Sequence, residues 1–275
     1  MTPSQFFKPR LGCVALVLGM LVTSSAWSQV GPSARLKRIE ADKVLRVCIW
    51  PEYYGISYRN PKTQKLQGVD VDNAHEVAKA LGAKVEFVNS SFATLVQDVE
   101  ADKCDLAMFA IGVTPERAQK LSFSQPHLKS DVFGITTRSN RAIKSWSDID
   151  QPGVVVVVTQ GTLHEPVMKA NLKRAELRVV NSPLAREAEV QSGRADVFMT
   201  DFPYSRRVLD NNEWARLVAP PTTFHITPYA WAMRKGDDAF VARVDAVLSE
   251  MKKDGRLLAH AKAYGLESIV ATATP

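Results

Sequence analysis

The sequence predicts an α/β protein of two lobes, each a mainly parallel sheet flanked by helices. Three observations lead there. Apolar segments of strand and helix period alternate as β-α-β-α-β from residue 44 to residue 111. The alternation starts afresh near residue 132. The second series contains residues 154–158, five consecutive valines, which suit a strand buried on both faces.

The elements follow in order. Residues 29–43 are polar and charged and read as a leader into a first strand at 44–50. Gly68 opens a helical pattern in which Val71, Ala74, Val77, Ala78 and Leu81 share one face, and Gly82 ends it. A second strand is expected at 84–88, a helix capped by Ser91 and carrying Leu95 and Val99, and a third strand at 105–111. The second series has strands at 132–137, 154–158, 177–180 and 195–200, with helices from Gly161-Thr162 to about Asn171 and over 184–192. A strand at 229–233 and two amphipathic helices, 237–253 and 256–264, complete the chain. The expected lobes are residues 29–131 with 225–275, and residues 132–224. Open parallel sheets bind ligands beyond the carboxyl ends of their strands, so a cleft between two such lobes would gather loops from both and could close by a hinge.

The N-terminus predicts the compartment. Lys8 and Arg10 precede an apolar run at 11–22, too short to span a bilayer, and Ala26 and Ser28 offer a cleavage site before Gln29. Residues 1–28 therefore read as a removable secretory signal, and the mature chain as exported. Loss of Lys8 and Arg10 takes the formal charge from +6 to +4, dispersed along the chain, which makes nucleic acid a poor partner. Cys13 leaves with the signal. Cys48 and Cys104 remain, near strands of one sheet, and either a bridge or two buried thiols is open. The five histidines lack ligand spacing, so they read as surface or packing residues; no metal, cofactor or catalytic residue is expected.

Candidate binding residues lie beyond the strand ends. In Gly112-Val-Thr-Pro-Glu-Arg117, Thr114 can cap a helix with Pro115 at its first position, which puts Arg117 in the first turn. The planar guanidinium matches a carboxylate with two parallel hydrogen bonds, and free helix-start amides favour the same anion. Thr162, after Gly161, occupies the corresponding place in the second series. Asp201 ends a strand and could pair with an ammonium or serve as a cap. Trp50, Tyr53 and Phe92 could lay flat rings against a ligand or pack between elements.

Taken together, the motifs resemble the type II periplasmic solute-binding proteins of polar amino-acid ABC transporters, solute-binding protein family 3, over roughly residues 36–268. The resemblance rests on Gly68-Val-Asp-Val-Asp72, the run from Cys104 to Arg117, Phe123-Ser-Gln-Pro126, Gly161-Thr162 and the run from Gly193 to Asp201, in this order. It implies the type II periplasmic binding fold and a periplasmic monomer that captures an amino acid and delivers it to a membrane ABC permease. It further implies that Arg117 clamps the ligand's α-carboxylate, that Asp201 receives its ammonium, and that Tyr53 and Phe92 flank its side chain. Thr162 or the Leu163 amide would complete the carboxylate site. Two positions depart from the pattern. Gly112 stands where a hydroxyl residue often assists the arginine, and Trp50 stands where binders of basic amino acids carry an acid. An apolar or aromatic ligand, or an unusual acid, is expected over lysine or arginine. Periplasmic cyclohexadienyl dehydratases also resemble the chain, through Ser57-Tyr-Arg59, Gln151-Pro-Gly-Val154 and Gly161-Thr162 with Glu165. That alternative would make Glu165 a general acid. A ligand-sensing or accessory periplasmic role is the third reading.

Overall fold

Where a polar leader was expected, the chain forms a helix, Ala34–Asp42 (α1), capped by Ser33 Oγ on the Leu36 amide at 3.1 Å. Only Leu36 and Ile39 supply apolar contacts, so hydrophobic period gives little signal there. The helix is fixed by ion pairs instead, Arg35 lying 2.6 Å from the buried Asp105. The structure is a computed structural model that describes residues 1–2 and 33–271. Most of the expected signal segment lies outside the described residues.

Strand β1 (Val44–Ile49) leads into three short strands, β2 (Glu52–Tyr53), β3 (Ser57–Arg59) and β4 (Leu66–Gln67), which make a small antiparallel sheet of their own. Helix α2 (Val69–Ala80) starts at Gly68, whose φ is 137° and whose position admits no Cβ, since one would lie 2.3 Å from Ile56 O. β5 (Lys84–Asn89), α3 (Leu95–Glu100), β6 (Leu106–Gly112), α4 (Pro115–Lys120), β7 (Leu121–Phe123) and β8 (Leu128–Ser130) follow.

The second series contains β9 (Phe133–Thr137), β10 (Val155–Thr159), α5 (His164–Asn171), β11 (Glu176–Val180), α6 (Pro183–Gln191), β12 (Val197–Thr200), α7 (Phe202–Asn211) and β13 (Ala215–Val218). The chain then returns through β14 (Thr227–Arg234) and finishes with α8 (Asp238–Lys253) and α9 (Arg256–Ala263).

Two sheets result. One has the order β5-β1-β6-β14-β7, with β8 beside β14, and the other β11-β10-β12-β9-β13. β5, β1 and β6 run parallel with β14 antiparallel to β6; β11, β10 and β12 run parallel with β9 antiparallel to β12. The two sheets thus share one strand order without any repeat in the sequence. The antiparallel member of the first sheet, β14, comes from beyond the second series, whereas that of the second sheet, β9, opens its own series. The chain passes between the sheets near Asp131 and again near Phe224. Asp131 ties the two crossings together, its carboxylate accepting the amides of Val132 (2.8 Å), Phe224 (2.9 Å) and His225 (2.7 Å).

Two buried clusters hold this arrangement. One packs β1, β6 and β14 against α2, α8 and α9 through residues such as Leu45, Val77, Trp231 and Leu248. The larger runs without a break from Cys48 and Phe109 in the first sheet to Val157 and Phe198 in the second. Cys48 and Cys104, left open by the sequence, are joined as a disulfide inside it.

Candidate functional site

The shared strand order places the carboxyl ends of both parallel sets at one seam. Trp50 follows β1, Phe92 lies beyond β5, Gly112 ends β6, Thr162 lies beyond β10 and Asp201 follows β12. Backbone meets backbone there. Gly161 has φ 74°, and a Cβ on it would lie 2.7 Å from Ala93 Cα, so this turn can approach the 92–93 loop only as glycine.

Arg117 takes the position its sequence predicts. Thr114 caps α4, its Oγ1 accepting the Arg117 amide at 3.3 Å, with Pro115 opening the helix. The side chain is 8 % exposed. Its Nη1 donates to Gly112 O and its Nη2 to Gly161 O across the seam, each at 2.8 Å, and its Cζ lies 5.4 Å from the Phe92 ring centre. Among the described residues no carboxylate comes within ion-pair distance of it. Burial pushes the guanidinium down to about 10, so it remains charged at neutral pH.

Asp201 is both a cap and a cleft residue. It caps α7, Oδ1 accepting the Tyr204 amide at 3.2 Å. Its Oδ2 accepts the hydroxyls of Tyr53 and, at 2.9 Å, Tyr229. Burial raises its pKa against the lowering effect of those two hydroxyls. Burial, and then the Asp201 charge, hold both phenols well above their ordinary range. Trp50, Tyr53 and Phe92 form a tilted cluster with ring centres 5.1 to 5.9 Å apart. Thr162 Oγ1 donates to Thr159 O at 2.7 Å, and Leu163 stands at the cap of α5.

Six of the eight residues expected from sequence (Trp50, Tyr53, Phe92, Thr162, Leu163 and Asp201) line one cavity of ≈ 20 Å³, room for a single water. Arg117 and Gly112 sit beside it. Gly112 supplies a carbonyl to Arg117, and its missing side chain admits Leu163, since a Cβ would lie 2.8 Å from Leu163 Cδ2. The absent hydroxyl at this position is thus coupled to a leucine across the seam. Five further residues line the wall: Ala110, His164, Arg186, Thr200 and Tyr204. Ala110 has φ 48° and is held by a hydrogen bond that its backbone N–H donates to Asp70 Oδ2 at 2.7 Å. His164, expected as a surface or packing residue, faces the cavity with burial, Arg186 and Arg117 pushing it down to about 3. Arg186 is 3 % exposed and lies 4.6 Å from the ring centres of both Phe198 and Tyr204. A charged residue in a helix whose period puts Arg186 beside Val190 was the available signal.

Glu165 does not reach this cavity; its Oε2 accepts the Gly161 amide at 2.8 Å and closes the turn ahead of α5.

Comparison with known proteins gives a consistent picture. Residues 45–267 match the bacterial extracellular solute-binding proteins, family 3. The chain is 33% identical over 248 residues to the cyclohexadienyl dehydratase of Pseudomonas aeruginosa, covering 90% of this chain and 89% of that one. It is 28% identical to a probable amino-acid ABC transporter-binding protein of Haemophilus influenzae, over 91% of this chain and 94% of that one. Among solved structures, an ancestral amino acid-binding protein described as a precursor of cyclohexadienyl dehydratase superposes with TM-score 0.77 at 31% identity, over 84% of this chain and 99% of that one. The L-cysteine solute receptor of Neisseria gonorrhoeae shares the fold with TM-score 0.78 at 24% identity, over 86% of this chain and 99% of its own.

Proposed function

The chain belongs to the bacterial extracellular solute-binding proteins of family 3, and from that premise we propose that it captures an amino acid between its lobes for delivery to a membrane ABC permease. One observation carries the reading. Arg117 is a buried cation whose only acceptors among the described residues are two carbonyls, one from each side of the seam, beside a cavity lined by the buried carboxylate of Asp201. A buried charge without a counter-charge is costly, and a ligand carboxylate supplies one. Asp201 then takes the ammonium, with Tyr53 and Tyr229 as neutral neighbours. Thr162 and the start of α5 flank the carboxylate, and the Trp50, Tyr53 and Phe92 rings cover the remainder. An amino acid is far larger than the present cavity, so capture parts the seam and closure restores it about the Asp131-tied crossings. The mature protein is read as a periplasmic monomer released by cleavage after residue 28. Arg117→Ala is expected to abolish amino-acid binding in calorimetry while leaving the circular dichroism spectrum unchanged; undiminished affinity would remove the assignment.

The similarity to cyclohexadienyl dehydratase supports a second reading, an enzyme on the same scaffold. Glu165 as its acid is disfavoured by its engagement with the Gly161 amide away from the cavity. Pure protein incubated with prephenate is expected to give no aromatic product. Turnover that is lost in Glu165→Gln would establish the enzyme instead.

A further inference from the structure

We propose that Arg186, with His164, forms a second anion subsite in the cleft, so that the ligand carries an acidic group in addition to its α-carboxylate. The inference deepens the amino-acid reading and rests on it.

Among the described residues, two buried charged side chains line the cavity, Arg186 and Asp201, with Arg117 beside it; the Asp70 carboxylate behind Ala110 is engaged by Trp231 and His127. An amino acid with a neutral side chain brings one negative and one positive group. Its carboxylate answers Arg117 and its ammonium competes with Arg186 for Asp201, whose carboxylate the charge of Arg186 stabilises, so the cleft keeps one uncompensated positive charge. Among the described residues Arg186 forms no ion pair within 4.0 Å. Its Nη1 donates to Met199 O at 2.9 Å, and its Nε has no hydrogen-bond partner among the described residues. The stacked rings of Phe198 and Tyr204 hold the guanidinium in place but do not neutralise it. A second carboxylate on the ligand would do so.

His164 points to the same place. His164 is 6 % exposed and lines the cavity, and although its ring lies against the Thr200 backbone, neither ring nitrogen completes a hydrogen bond among the described residues. A buried imidazole without a partner is rare among polar side chains, and one nitrogen can donate to the same acidic group. The neutral ring leaves the charge of the subsite to Arg186.

The test compares acids with their amides by calorimetry on the intact mature protein: aspartate against asparagine and glutamate against glutamine, with succinate and glutarate as acids lacking the ammonium. One acid is expected to bind at least about tenfold tighter than its amide, the scale of one charge-assisted hydrogen bond. That ratio is expected to fall to about one in Arg186→Met, which fills the space between the rings, and to recover in part in Arg186→Lys. Thermal melting of each variant reports its folding, and the acid-to-amide ratio of the unmodified protein needs no variant. Amides bound as tightly as acids would overturn the subsite and leave the amino-acid reading standing. So would an Arg186→Met variant that weakens acid and amide equally, the sign of a structural role. Arg186-dependent binding of succinate or glutarate, with no amino acid bound, would support the subsite and overturn the amino-acid reading. Binding of none of the six would overturn the subsite and leave the amino-acid reading to apolar and aromatic ligands.

Discussion

Replacing Asp70 by asparagine should destabilise the protein through the wall of its cleft. Asp70 is fully buried and accepts the Ala110 amide at 2.7 Å and Trp231 Nε1 at 2.9 Å, while His127 Nε2 lies 2.9 Å from Oδ1. Asparagine keeps one acceptor oxygen and turns an NH₂ toward at least one of these donors. Losing two hydrogen bonds to an ionised acceptor, at about 1.5 kcal/mol each, costs about 3 kcal/mol. For a protein of roughly this size that lowers Tm by about 6–12 °C. Burial alone would raise the pKa of Asp70, but the attraction of His127 and the donors around it leave it below the ordinary aspartate value. Its contribution is therefore present above the unfolded-state value of about 3.9 and is lost as pH falls through the lower folded value. The Asp70→Asn deficit should be full at pH 7 and shrink below about pH 4. Thermal melts of both proteins from pH 7 to pH 3 measure it. A Tm change under about 2 °C at pH 7, or a deficit that grows on acidification, would refute the assignment of Asp70 as the anchor of Ala110.

Other outcomes follow from the same geometry. Gly112→Ser puts a Cβ 2.8 Å from Leu163 Cδ2, so the added hydroxyl should weaken ligand binding by about 5- to 100-fold, the scale of overpacking, instead of strengthening the carboxylate site. Calorimetry should show recovery when Leu163→Ala is added. Reducing the Cys48–Cys104 bridge, which spans 56 residues of sequence, should cost about 4 kcal/mol, read as a lower melting temperature in the presence of reductant.

What was legible in the sequence had local causes. The valine run of β10 and the apolar face of α2 announce themselves by period, because burial on two faces or one selects residues at that period. Arg117 was legible because Thr114 and Pro115 define a helix start within three residues of it. The short strands β2–β4 and the helix α1 carry too few apolar residues for a period, and they form because other parts of the chain receive them. The antiparallel strand β14 enters the first sheet from beyond the second series, a pairing that no local signal encodes.

The sequence by itself therefore determined the α/β class, the two series of elements and the residues at the strand ends. Only the tertiary structure decided which of these face one another. It joined Cys48 to Cys104, paired Gly112 with Leu163 across the seam, and brought Arg186 and His164 to the cavity wall. The physical reason is that helix starts and burial patterns are set by neighbours a few residues away. Charge compensation and close backbone approach depend on groups brought together from distant parts of the chain, and no spacing in the sequence records them.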